Sequence, residues 1–172
     1  MISPEEAFSI LQNLKYSNRV VELPLLEARS HVLAETFYSP INMPPFRQAT
    51  MDGFAISLQE SLNYEIIGEI KAGDFYRGKL KPGQALKIFT GAAVPDTAQA
   101  VIQIEKVTVN NSTLLLQENI KPETNIRQLG AQIKTREVAL EKGTFLNPAS
   151  IGFLTALGFT KVRVYQNPES EL

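Results

Sequence analysis

Pro40, Pro44 and Pro45 constrain this chain more than any other feature. Each fixes φ at about −65° and removes an amide donor, and each disfavours helix for the residue before it. The first half of the stretch Pro40-Ile41-Asn42-Met43-Pro44-Pro45-Phe46-Arg47-Gln48-Ala49-Thr50-Met51-Asp52-Gly53-Phe54-Ala55 is therefore expected to be a stiff extended loop, neither helix nor central strand. Stiff loops place side chains. This one presents Asp52 beside Gly53, between the apolar Met51 and Phe54, where the backbone can turn sharply or come close to a ligand. An Asp-Gly pair is also what an ordinary turn uses, so the residues alone leave both readings open.

With 172 residues, a chain buries roughly 70% of its unfolded surface, enough for a core without staples. A hydrophobic fraction of 44%, a charged fraction of 20% and a net charge of −1 are globular values, with no basic footprint for nucleic acid or a membrane surface. Cysteine is absent, which excludes disulfides, thiolate zinc sites and cysteine nucleophiles, and His31 is the single histidine, too few for a histidine-based metal cluster. The acidic start lacks the order of a secretion signal, and no apolar run approaches the ~18 residues of a membrane span, so the expectation is a soluble cytoplasmic protein.

Ser3, Pro4 and Glu6 make a capping box, and Ala7, Phe8, Ile10, Leu11 and Leu14 keep one apolar face, which predicts a helix over 4–14. Arg19 to Leu23 is rich in strand formers. After Pro24 the spacing of Leu25, Leu26, Ala28, Val32, Leu33 and Phe37 predicts a second amphipathic helix, with His31 on its polar, solvated side. Beyond Met51 the texture changes to short apolar runs punctuated by Gly68, Gly73, Gly78 and Gly83, which reads as strands and tight turns. Val101 to Val109 and Thr113 to Ile120 read as a hairpin turning at Asn110-Asn111-Ser112. After Pro122, Asn147 before Pro148 is an N-cap, Ile151, Phe153, Leu154 and Leu157 form a buried face, and Gly158 is the C-terminal cap. Lys161 to Tyr165 reads as a last strand and Asn167 to Glu171 as a linker. The expected class is α+β: residues 1–52 and 122–172 form a discontinuous helix-and-strand domain, and 53–121 an inserted small all-β domain, a curled sheet or barrel.

Gly73-Asp74-Phe75-Tyr76-Arg77-Gly78-Lys79-Leu80 imitates a phosphate-binding loop, but Leu80 stands where a hydroxyl must hold magnesium and Pro82-Gly83 forbids the helix that such a loop opens. Asn110-Asn111-Ser112 fits a glycosylation pattern and is read as a turn. Thr90-Gly91-Ala92-Ala93-Val94-Pro95 closes a strand with a hydroxyl and small residues, a mouth for a ligand or a plain strand-end turn. Arg127, Lys134 and Arg136 flank Gly130 in a stretch that can bind an anion, although taken alone such residues are more often solvated surface charges.

Taken in order, these pieces resemble the N-terminal region of the molybdopterin molybdotransferases, a family that includes the corresponding domain of gephyrin. The resemblance lies in Leu25-Leu26-Glu27-Ala28 with Val32-Leu33-Ala34-Glu35, Pro44-Pro45-Phe46 with Met51-Asp52-Gly53-Phe54-Ala55, Gly68 to Gly73, Phe89 to Pro95, Asn125-Ile126-Arg127 with Gly130, and Leu157-Gly158, and it covers nearly the entire chain. It implies insertion of molybdate into adenylylated molybdopterin with release of AMP, assisted by magnesium, in a homodimer whose active site pairs this region of one subunit with another domain of its partner. It implies that Asp52 and Thr90 are catalytic positions, Asp52 also a magnesium ligand, and Arg127 the cation that binds phosphate or molybdate, the three lining one concave wall. Gln132 departs from the family pattern, offering a neutral amide where an acidic oxygen is expected. By the same resemblance a larger α/β domain would follow Leu172, so the isolated chain is expected to be inactive. The alternative, from a different functional class, is a non-catalytic dimerisation or scaffold module.

Overall fold

The computed structural model of the chain describes residues 2–13 and 19–167, and the fold divides into two compact units. The first unit spans Met1–Tyr38 and Val138–Leu172, the second Ser39–Glu137. The sequence places the junctions at 52/53 and 121/122 instead. The proline loop and the stretch around Arg127 both fall inside the second unit, because Gln48–Ala49 and Ile126–Arg127 pair with each other as antiparallel strands there. No helix among the described residues is long and apolar enough to cross a membrane.

In the first unit, α1 (Pro4–Asn13) opens on the expected reciprocal cap: the Ser3 amide donates to Glu6 Oε2 at 2.9 Å and the Glu6 amide to Ser3 Oγ at 3.1 Å. The helix buries none of its residues, so Phe8, Ile10 and Leu11 stay exposed; Leu14 lies outside the described residues. The strands β1 (Val20–Pro24), β2 (Val32–Leu33) and β13 (Lys161–Tyr165) make an antiparallel sheet in the order β1-β13-β2, and β3 (Phe37–Tyr38) pairs with β12 (Val138–Leu140).

The helix expected after Pro24 does not form. Leu25–Ala28 is one 3-10 turn, Arg29 is extended at ψ 139° and Ser30 is left-handed at φ 65°. Backbone donors that a helix would use internally go elsewhere: the Ser30 amide to Leu146 O, Leu33 to Thr144 O and Ala34 to Arg163 O, all at 2.9 Å. Leu25, Ala28, Leu33 and Phe37 still reach one core, with Leu146, Leu154 and Val162, so the apolar spacing is met by a turn and two short strands. His31 lies in that irregular stretch, its Nδ1 3.1 Å from Arg29 O. Against this core packs α2 (Pro148–Ala156), where Asn147 Oδ1 accepts the Ser150 amide at 2.9 Å and Gly158 at φ 91° ends the helix. The linker expected over 167–171 lies outside the described residues from 168 onward.

The second unit is organised by a curled half-barrel sheet of six strands in the order β8-β5-β7-β6-β10-β9. These are β5 (Gly53–Ile56), β6 (Asn63–Ile70), β7 (Gln84–Ile88), β8 (Ala100–Gln103), β9 (Val107–Asn110) and β10 (Thr113–Leu116). Only β6 and β7 run parallel; the other neighbours are antiparallel. Alternate residues supply two cores on opposite faces: Ala55, Leu86, Ile88 and Val101 feed one, Phe54, Ile56, Ala85 and Ile102 the other. That two-sided burial explains the nearly unbroken apolar runs. Asn111 at φ 54° makes the β9–β10 turn, while a 3-10 turn at Ile104–Lys106 splits what the sequence suggests is one strand from 101 to 109.

Candidate functional site

Sheet register brings Asp52 and Thr90 together. In β5, Gly53 pairs with Ile88 of β7 on one side and with Gln103 of β8 on the other, so one residue earlier Asp52 stands opposite Phe89 and Ile104. The Ile104 amide donates to the Asp52 carbonyl at 3.2 Å, which carries the pairing past the strand end. Thr90 is the next residue after Phe89. Its amide and its hydroxyl both donate to Asp52 Oδ1, at 2.7 and 2.6 Å. Two donors on one oxygen favour the ionised form, so the carboxyl is held below the ordinary aspartate range, first by the Thr90 hydroxyl and then by its amide, against a small opposing effect of desolvation.

Gly53 is demanded by the sheet. A Cβ at this position would lie 1.9 Å from the Ile102 carbonyl oxygen, so the glycine exists to let β5 and β8 approach. At the far side, Gly91 at φ 87° turns the chain away from β7. The strand β4 (Gln48–Ala49) clasps that turn: the Gly91 amide donates to Ala49 O at 2.9 Å, the Ala49 amide to Ala92 O at 3.0 Å, and Gln48 Nε2 to Gly91 O at 3.3 Å.

Arg127 belongs to β11 (Ile126–Arg127), directly across from Gln48. Ile126 and Ala49 turn inward, so Arg127 and Gln48 point the other way, and of these two it is Gln48 that reaches the Gly91 carbonyl. Among the described residues its guanidinium makes no hydrogen bond or ion pair with Asp52 or Thr90; the structure joins the first two and leaves the third on a separate two-stranded sheet with β4. Gln132 is exposed, its backbone amide donating to Met43 O at 2.9 Å. The Gly73 to Leu80 stretch contains no helix, and Leu80 is buried rather than available to a ligand.

Three participants escape a reading of the sequence. Glu105 and Lys106 line a cavity of about 400 Å³ together with Met51, Asp52 and Gln103. Arg47 sends its guanidinium to the carbonyls of Pro95, Asp96 and Ala98 and to the Glu123 carboxylate, tying the proline loop to the segment after Thr90. For Arg47 the three-proline context is the one hint, and nothing in local spacing marks Glu105 or Lys106. For a metal, no group of three or more His, Asp or Glu gathers among the described residues. Asp52 and Glu105 line that cavity as two hard oxygen donors, with the cation Lys106 on the same wall; magnesium, where bound, typically keeps waters and takes substrate phosphates rather than filling a protein cage.

The sequence model of the family described as MoeA N-terminal region (domain I and II) matches residues 2–158. A molybdopterin molybdenumtransferase of Haemophilus influenzae is 36% identical over 171 residues, which is 96% of this chain and 42% of that protein. One from Staphylococcus epidermidis is 31% identical, covering 97% of this chain and 42% of its own length. A crystal structure of the molybdopterin biosynthesis MoeA protein from Pyrococcus horikoshii OT3 superposes with a TM-score of 0.87 at 33% identity, over 95% of this chain and 46% of that one. The chain therefore spans less than half the length of the relatives it matches.

Proposed function

This chain belongs to the MoeA N-terminal-region family, and from that premise we propose that it supplies one wall of the active site of a molybdopterin molybdenumtransferase acting in the cytoplasm. The substrates are molybdate and adenylylated molybdopterin, the leaving group is AMP, and the partner that completes the pocket is a second subunit of a homodimer. The observation that carries the reading is the double hydrogen bond from Thr90 to one oxygen of Asp52 at the open end of a buried sheet.

The chemistry follows from the donor set. Thr90 occupies Oδ1 of an exposed residue, and no hydrogen bond among the described residues reaches the second carboxylate oxygen, Oδ2. Asp52, with Glu105 lining the same cavity, would hold magnesium, which when bound supplies positive charge against phosphate and molybdate oxygens. Thr90 gives its only hydroxyl proton to Asp52, so its work is to keep that carboxylate ionised and aimed. Arg127, exposed across from Gln48, is the cation that meets an oxyanion and can do so with two parallel hydrogen bonds.

The test is molybdate-dependent AMP release by a complete transferase containing this segment. Asp52→Asn keeps the shape, removes the charge and should cost about a hundredfold in rate or more, the scale of losing one preorganised electrostatic group. A rate within about threefold of the parent would overturn the assignment. The neutral Gln132 favours the scaffold reading of the same family, and Gln132→Asp separates the two: a gain in AMP release marks an enzyme weakened at this position, while no release from parent or variant marks a scaffold.

A further inference from the structure

We propose that the cavity walled by Phe46, Phe75 and Tyr76 is a subsite for a planar, amino-substituted heteroaromatic ring, of the purine or pterin kind. It holds about 510 Å³, is partly open to solvent, and is also lined by Ala93 to Asp96 and by Gln128 with Leu129. That volume lies in the range of small-molecule pockets. Phe46 and Phe75 meet edge to face, centroids 5.4 Å apart and planes at 88°, so a flat ring stacked on one meets the edge of the other. Phe75 is 64% exposed, a large aromatic held out by a loop that has no other evident use for it. The loop is anchored just beyond, where the Leu80 amide donates to Thr97 Oγ1 at 2.9 Å.

The polar groups select among flat ligands. Arg47 is the one cation lining the pocket among the described residues, and its guanidinium is already engaged by the carbonyls of Pro95 and Ala98 at 3.1 Å, of Asp96 at 3.4 Å, and by Glu123 at 3.2 Å. The pocket therefore makes no demand for an anion. What it leaves open are acceptors. The Asp96 carboxylate is exposed and takes no hydrogen bond among the described residues, and Gln128, which donates its amide N–H to Glu123, keeps its carbonyl oxygen. Aromatic walls with acceptors at the rim fit a ring that carries N–H donors, as the exocyclic amines of purines and pterins do.

The subsite also lies within reach of the other end of such a substrate. Val94 of its wall is four residues from Thr90, a separation of at most roughly 14 Å for extended backbone, which is the length of a nucleotide-sized molecule. The proposal rests on the transferase reading only for which ring would occupy the cavity.

The experiment titrates adenosine and, separately, pterin-6-carboxylate into the isotope-labelled chain and follows backbone amide shifts. Binding of either ring should move the amides of Phe75, Tyr76 and Asp96, and the ligand that binds tighter identifies the source. Phe75→Ala, an exposed position where truncation leaves the core intact, and Asp96→Asn should each weaken binding about tenfold. Methylguanidinium and inorganic phosphate serve as the cation and anion controls. Failure of both rings to bind, equal binding by Phe75→Ala, or a preference for methylguanidinium would overturn the proposal. The transferase reading stands apart from this result: ring binding lost in Phe75→Ala alongside an indifferent Asp52→Asn rate retains the subsite and removes the activity, and the opposite pair of results does the reverse.

Discussion

Gly53→Ala tests whether the sheet, rather than the loop, sets the site. The new Cβ would sit 1.9 Å from the Ile102 oxygen, 2.9 Å from its carbonyl carbon and 3.1 Å from Gln103 Cα. Reaching 3.4 Å, where ordinary contact begins, needs a shift of 1.5 Å (3.4 − 1.9), and the obstacle is backbone that cannot swing aside. A shift of that size breaks the β5–β8 pairing at Gly53–Gln103 and Phe54–Ile102, where Phe54 and Ile102 are almost fully buried. Two ladder hydrogen bonds at ~1 kcal/mol each, plus ~1–3 kcal/mol for polar groups left without partners, give about 3–5 kcal/mol. For a chain of this size that lowers the melting temperature by roughly 10 °C. Calorimetry and urea unfolding measure it. Gly152→Ala is the matched control: in α2 a Cβ there meets nothing within 4 Å, so helix propensity should add about 0.5–1 kcal/mol. A Gly53→Ala protein within about 1 kcal/mol of the parent would refute the steric argument.

The remaining expectations concern single interactions. Thr90→Val removes the hydroxyl that contributes most to lowering the Asp52 carboxyl, so its titration midpoint, read by carbon NMR of the side chain, should move up toward the ordinary aspartate value; an unmoved midpoint contradicts the pairing. Because the folded value is the lower one, the stabilisation from this contact is present above the unfolded aspartate's pKa and is lost as pH falls through the folded one, so in acid the parent should lose its stability advantage over Thr90→Val, as urea unfolding across that range would reveal. Asn147→Ala leaves the Ser150 amide without its cap and should cost about 1 kcal/mol in urea unfolding. Leu154→Ala, at a fully buried position against Leu146 and Val162, should cost about 2–4 kcal/mol by the same measurement.

What can be read from the sequence divides along the range of the interaction that decides it. The capping box at Ser3 and Glu6, the Asn147 cap and the strand Lys161–Tyr165 are decided within a few residues, and the structure has each where the residues put it. The stretch after Pro24 misleads because helical spacing of leucines does not distinguish a helix from a turn and short strands serving the same core; the carbonyls of Leu146, Thr144 and Arg163, more than a hundred residues away, decide it. Asp52 and Thr90 lie 38 residues apart. No local pattern predicts their contact, and only the family resemblance names them as a set. Phe75 hides among glycines that suggest a phosphate loop, whereas its surroundings depend on where Phe46 lies, far back in the chain.

The proline loop invites the idea that its own stiffness aims Asp52. The structure assigns that work differently. Asp52 immediately precedes β5, whose four residues are all buried between two neighbouring strands, and those pairings reach Phe89 and Ile104 on either side of it. Because side chains alternate along a strand, a slip of one residue would send Phe54 and Ile56 to the wrong core and carry Asp52 away from Thr90 in the same step. The register that buries the core is thus the register that makes the site, and neither can change without the other. The prolines act one segment earlier: they deliver Arg47 and Gln48 to the far side of the Thr90-Gly91 turn, where Arg47 fixes the carbonyls of Pro95 and Ala98 and Gln48 holds that of Gly91. Stiffness in the loop therefore secures the partner of the carboxylate rather than the carboxylate itself. It follows that Arg47→Met, which removes the guanidinium contacts to the carbonyls of Pro95, Asp96 and Ala98 while keeping the bulk, should loosen hydrogen-exchange protection across 90–98 and leave the protection of β5 unchanged; equal loss in both segments would show that the two supports are one.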